Sequence, residues 1–176
     1  MPASQYPCAF QPGLPHQFTH SIPRRPTILL IIHGLVAVAL LGALTHQTLA
    51  TWAPGRSGSF FSRFRRVPPA SFTNAVVILY VIAALLGGIV YLYFRVDIRP
   101  SLERGGHWQA LGFFDIKEHL ISIGAALLPA YWVCWRRPRP DEPYRMRAAL
   151  TGILAFIVWW GFLTGHVVNN IMGFGS

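Results

Sequence analysis

Three histidines, His33, His119 and His166, fall inside three different hydrophobic stretches of the chain, and threading those stretches through a bilayer brings all three to one side. Each then stands roughly 4–7 residues, about 6–10 Å, from the same end of the bundle at the rise of a helix. Imidazole is the commonest metal ligand among side chains and also ligates haem iron. Ionisable groups in lipid are costly and usually functional. A b-type haem takes two such rings from facing helices, and a mononuclear copper or zinc site takes three. The expectation is a haem b or copper site built in the bundle core, with His33, His119 and His166 as the ligand pool. The competing expectation is that the rings hydrogen-bond across helices and hold the bundle together.

A ligating histidine needs its second ring nitrogen held. Asp115 lies four residues before His119, on the same face of a helix, and Glu118 adjoins it. Both are candidates for orienting the ring or handling its proton, although acidic residues at a helix start also answer the macrodipole. Asn169 and Asn170 follow His166 by three and four residues and are its candidate partners. Gln47 is near the azimuth of His33 but much deeper. His46 is read as a packing residue near the other interface and His107 as exposed, while His16 and His20 receive no role.

Between Asp97 and Glu118 fall four of the six acidic residues, interleaved with Arg95, Arg99 and Arg104. Such alternation suggests a cap of ion pairs over the histidine layer, each exposed pair worth about 0–1 kcal/mol. A solvated loop is the alternative.

What must position these residues is legible from composition. The chain has 176 residues, 53% hydrophobic and only 12% charged, well below the roughly 25% charged of a soluble domain. Four segments have the length and apolarity of membrane helices: about 27–52, 72–94, 113–135 and 148–171. Backbone groups in lipid must bond internally, so these are helices. The fold class expected is all-α, an integral membrane four-helix bundle over 27–176 behind a Pro-rich tail, 1–26. Prolines and glycines punctuate the connections, among them Pro54, Pro68, Pro69, Pro100, Gly105, Gly106, Pro138 and Pro140. Pro129 is expected to kink the third helix. Gly161 and Gly165, four apart, would let another helix approach closely, as would Gly87, Gly88 and Gly34. Tyr91, Tyr93 and Phe94 would belt one interface and Trp52, Tyr131, Trp132 and Trp135 the other.

The net charge of +9 does not signal nucleic acid, because the arginines cluster in short loops beside apolar runs, where they set topology and meet lipid headgroups. Nine basic residues fall on the side opposite the termini (56, 63, 65, 66, 136, 137, 139, 145 and 147) and six on the termini side. By the positive-inside rule both termini face the outside or periplasm of what is expected to be a bacterial inner membrane. Cys8 and Cys134 are expected on opposite membrane faces, which argues against a disulfide between them, and neither belongs to a CxxC or CxxCH pattern, which leaves zinc ribbons and c-type haem without support.

The four-helix plan resembles that of small haem-b membrane subunits, whose histidine placements do not map onto His33, His119 and His166, so no functional residue is carried over. The function expected is an integral membrane haem b- or metal-binding subunit for electron transfer or quinol chemistry, with other membrane subunits and a quinone as partners. The alternative is a cofactor-free accessory subunit that stabilises a larger membrane complex.

Overall fold

The computed structural model describes residues 24–52, 67–137 and 144–171. Helix α1 runs Arg24–Trp52, and after a 3-10 turn at Pro69–Phe72 helix α2 runs Thr73–Tyr93. A π-helical turn, Phe94–Ile98, leads into the short α3, Arg99–Arg104, followed by α4, Trp108–Arg136, and α5, Tyr144–Ile171. Among the described residues there are helices and no strand.

The expected break at Pro100 is not where the helix stops. Pro100 stands in the first turn of α3, where a missing N–H removes no hydrogen bond. The wider π-helical turn before it absorbs the change of path. The reversal comes at Gly105–Gly106, where Gly106 has a φ of +73°, a conformation that glycine adopts at no steric cost. Helices α4 and α5 also begin earlier than their apolar cores, at Trp108 and Tyr144 rather than Phe113 and Ala148. Pro129 lies inside α4 without ending it.

The four long helices form a ring in the order α1, α2, α4, α5, each packed on two neighbours. Cross-helix contacts give antiparallel directions: Gln47 reaches Pro69, Trp132 reaches Asn74, and Trp52 reaches Ala148. The inward seam of α4 is Phe114, Lys117, Ile121, Gly124, Leu128, Tyr131 and Trp135, spaced by alternating threes and fours as helix packing requires. The main core gathers Leu44, Val76, Tyr80, Leu128, Tyr131, Leu154 and Val158 from all four helices. Tyr80 and α4 meet so closely that a Cβ at Gly124 would occupy the place of the Tyr80 phenol. That phenol donates to the Ile121 carbonyl at 2.8 Å. A second apolar cluster, Phe94, Leu102, Leu111, Phe114 and Val168, closes the termini end, with the Phe94 and Phe114 rings stacked at 3.9 Å.

Thr27–Trp52, Pro69–Arg104 and Tyr144–Ile171 are long and apolar enough to cross a membrane. Helix α4 is long enough but carries Asp115, Lys117, Glu118 and His119 in its first half, which lowers its apolarity. Three apolar helices of this length point to membrane insertion, which explains why bulky side chains such as Ile28, Leu35, Ile78 and Leu85 are exposed. The expected aromatic belts are only partly surface features: Tyr131, Trp135 and Phe94 are core residues, whereas Trp52 and Tyr93 are exposed.

Candidate functional site

The seam spacing of α4 turns Lys117 into the bundle. Its side chain is only 16% exposed, and its ammonium lies 2.8 Å from Glu118 Oε1. The ammonium also sits 4.0 Å from the centre of the Phe114 ring, a cation–π contact that adds stabilisation where water is scarce. Its stem runs beside Gly161 of α5, where an added Cβ would lie 3.9 Å from Lys117 Cγ and 3.2 Å from Ile121 Cδ1. Gly161 therefore does what its small size suggests, and Gly165, with nothing near its Cβ position, does not.

Across the bundle, His33 of α1 is partly buried and lies against α2. A Cβ at Gly87 would come within 3.1 Å of His33 Cε1, so the missing side chain makes room for the ring. Its Nδ1 is buried with no hydrogen-bond partner among the described residues.

Outside this layer lies the ion-pair cap. Arg99 bonds Glu103 at 3.0 Å and Asp115 at 3.2 Å, so α3 is tied both within itself and to α4. All three side chains are a third or more exposed. The cap is ordered helix rather than solvated loop, with Leu102 completely buried beneath it. His107 is exposed at the start of α4.

The three imidazoles share a side of the bundle but do not converge. Only His33 turns inward. His119 is exposed on α4, with Nδ1 2.7 Å from the Asp115 carbonyl of its own helix. His166 is exposed on α5, stacked on Phe162 of its own helix at 6.5 Å. Asn169 is partly buried and Asn170 exposed, and neither bonds His166. Asp115 is drawn to Arg99 by its carboxylate and reaches His119 only through its backbone. Glu118 is spent on Lys117, not on His119. Among the described residues, no group of three or more His, Cys, Asp or Glu is placed to hold a metal ion. The physical reason is angular: His119 is two residues from inward Lys117, about 200° round the helix. His166 likewise lies two residues from buried Thr164 and two from buried Val168.

Lys117, by its charge a loop or interface residue, is instead an inward residue of the α4 seam. At the other end of the bundle lies a second polar cluster of the same kind. Gln47 is completely buried, donates from Nε2 to the Pro69 carbonyl at 3.1 Å, and accepts from the Tyr131 hydroxyl. It does not serve His33. Thr51 and Thr151 are satisfied by the carbonyls of Gln47 and Arg147, and Trp135 Nε1 donates to Thr151 at 3.1 Å. These bonds pin the α1–α2 connection to α4 and α4 to α5. His46 packs on Phe72 at 4.5 Å, as a packing residue should.

The expected tail up to residue 23, with Cys8, His16 and His20, lies outside the described residues, as do the arginines at 56, 63, 65, 66 and 139. Comparison with protein-family models, curated proteins and solved structures finds no match.

Proposed function

We propose that the chain is an integral membrane subunit with four spans that docks on the helices of a larger membrane complex through the outer face of α4. The observation that carries this reading is the chemistry of that face. Its exposed residues include His119, Ser122, Ala125, Ala126, Pro129 and Ala130 beside Ile116 and Ile123. Helix α4 also exposes Phe113 and Val133 towards its ends, but α1 and α2 present longer bulky apolar runs: Ile28, Ile31, Ile32 and Leu35 on one, Ile78, Val81, Ile82 and Leu85 on the other. Bulky side chains suit lipid. Small residues let a helix backbone come close, and a polar group at membrane depth is better answered by protein than by acyl chains. The partly exposed Asp115 and Glu118 extend the same face outward, at 44% and 35% exposure.

With a partner helix covering it, α4 becomes the fourth span, and the charges in its first half meet protein on both sides. The arginine bias supports an orientation with both termini outside a bacterial inner membrane. The Lys117–Glu118 pair lies beside the docking face and would suit proton handling for quinol chemistry in the parent complex.

A second reading rests on one detail. His119 has Nδ1 anchored on the Asp115 carbonyl and the rest of its ring outside, the arrangement of an oriented ligating histidine. A haem b or copper shared with a partner's ligands would use it.

The two readings are separated by a photo-crosslinking amino acid placed at Ala126, with Ile82 as the lipid-facing control, together with an oxidised-minus-reduced absorption spectrum and metal content of the purified complex. Docking gives protein adducts at Ala126 and none at Ile82. Equal behaviour of the two positions removes the docking reading. A Soret band or stoichiometric copper that disappears in His119→Leu establishes the second reading.

A further inference from the structure

We propose that the groove between the end of α1 and the start of α5 is a binding site for one anionic phospholipid of the arginine-rich leaflet. Two open recesses meet there. One, of about 430 Å³, is lined by Trp52, Gly152, Ile153 and Phe156 and is wholly apolar. The other, of about 410 Å³, shares Trp52 with it and is lined by Tyr144 and Arg145. Arg145, Gly152, Ile153 and Phe156 recur at helical spacing on one face of α5. From Arg145 to Phe156 that face covers eleven residues, or about 16 Å of rise. This is half of an approximately 30 Å hydrocarbon core, the depth of a single leaflet.

The groove is built rather than incidental. The Trp52 indole is fixed by its Nε1 donating to the Ala148 carbonyl at 3.1 Å. A Cβ at Gly152 would meet Trp52 at 3.5 Å, ordinary contact, so the glycine leaves space beside the ring that a side chain would fill. Tyr144 donates its hydroxyl to the Thr51 carbonyl, tying the start of α5 to the end of α1.

The occupant follows from charge. Among the described residues, no carboxylate forms an ion pair with Arg145, and Arg145 lines the recess at the start of α5, beside the apolar slot. Arg145 matches a phosphate and the slot matches an acyl chain, a pairing that only an amphiphile supplies. Arg147, two residues on, faces the other way, with its guanidinium 5.9 Å from the Trp135 ring.

Native mass spectrometry of the detergent-solubilised full chain, titrated with phosphatidylglycerol or with phosphatidylcholine of matched acyl chains, reads the site. The wild type is expected to retain one phosphatidylglycerol at roughly fivefold lower concentration than phosphatidylcholine, the effect of about one arginine near the surface. Arg145→Gln is expected to abolish that preference, and Gly152→Leu to weaken binding of both lipids by filling the slot. Inorganic phosphate is expected not to compete, which separates a lipid site from a simple anion site. Equal retention of the two lipids by the wild type, an unchanged preference in Arg145→Gln, or displacement by phosphate alone overturns the proposal. A circular-dichroism melt of each variant guards against unfolding, and the charge-only and volume-only variants report separately.

Discussion

Lys117 and Glu118 are sequence neighbours that point to different surroundings, yet Nζ and Oε1 meet at 2.8 Å. The lysine follows the inward seam and the glutamate sits at the bundle edge, so the pair turns a charge inside the bundle into a locally neutral unit. A lone charge there would be far more expensive.

Glu118→Gln is therefore expected to destabilise the protein by roughly 2 kcal/mol, because it strands the Lys117 ammonium. Lys117→Met keeps the stem against Phe114 and Gly161 while removing the charge, and in the Glu118→Gln background it is expected to restore most of the loss. Unfolding of the four members of this double-mutant cycle in detergent micelles measures the coupling.

The Arg99–Asp115 pair looks similar on paper, at 3.2 Å, but both partners are a third or more exposed. Asp115→Asn is expected to cost less than 1 kcal/mol, and less still in high salt. The contrast with Glu118→Gln in the same unfolding assay tests whether depth, and not distance, sets the value of these pairs.

The Gln47 amide makes both of its cross-helix bonds inside the core. Tyr131→Phe leaves the Gln47 oxygen without its donor and is expected to cost about 1–2 kcal/mol. Gln47→Leu strands both the Pro69 carbonyl and the Tyr131 hydroxyl and is expected to cost more. Melting temperatures together with near-ultraviolet circular dichroism of the buried Tyr131 and Trp135 check both.

Among the described glycines, Gly124→Ala is expected to be the most damaging methyl addition. The new carbon takes the place of the Tyr80 phenol, which must leave its 2.8 Å bond to the Ile121 carbonyl. The cost expected is about 2–3 kcal/mol. Tyr80→Phe in the same background is expected to recover part of it by removing the clashing hydroxyl, and unfolding curves of the single and double variants decide this.

The end of the bundle at which each histidine falls is legible in the residues, and its azimuth is not. Charge-free apolar runs marked α1 and α2 within a few residues, and the rise of a helix put His33, His119 and His166 at one end. Azimuth depends on which helices are neighbours. The seam Phe114, Lys117, Ile121, Gly124, Leu128 carried the answer for α4, since an inward Lys117 forces an outward His119. That signal was masked because Lys117 stood out as a charge and Gly124 as a gap in the apolar pattern. The early starts of α4 and α5 were hidden by polar first turns such as Trp108–Gln109 and Arg145–Met146–Arg147. The π-helical turn before Pro100 has no signature of its own in FRVDI, and the cap it builds depends on the burial of Leu102.

The outer face of α4 is the centre of the functional reading, and Ser122→Leu combined with Ala126→Leu tests it most directly. The two leucines improve the fit of that face to lipid and block the approach of another helix, while leaving the inward seam untouched. The measurement is the size of the particle extracted from native membranes in mild detergent, with Ile82→Leu on α2 as control. The wild type and the control are expected to migrate within a larger complex and the double variant to be released as a folded single subunit. A double variant that stays in a particle of the same size as the wild type, or a wild type that is already a single chain, contradicts the docking reading.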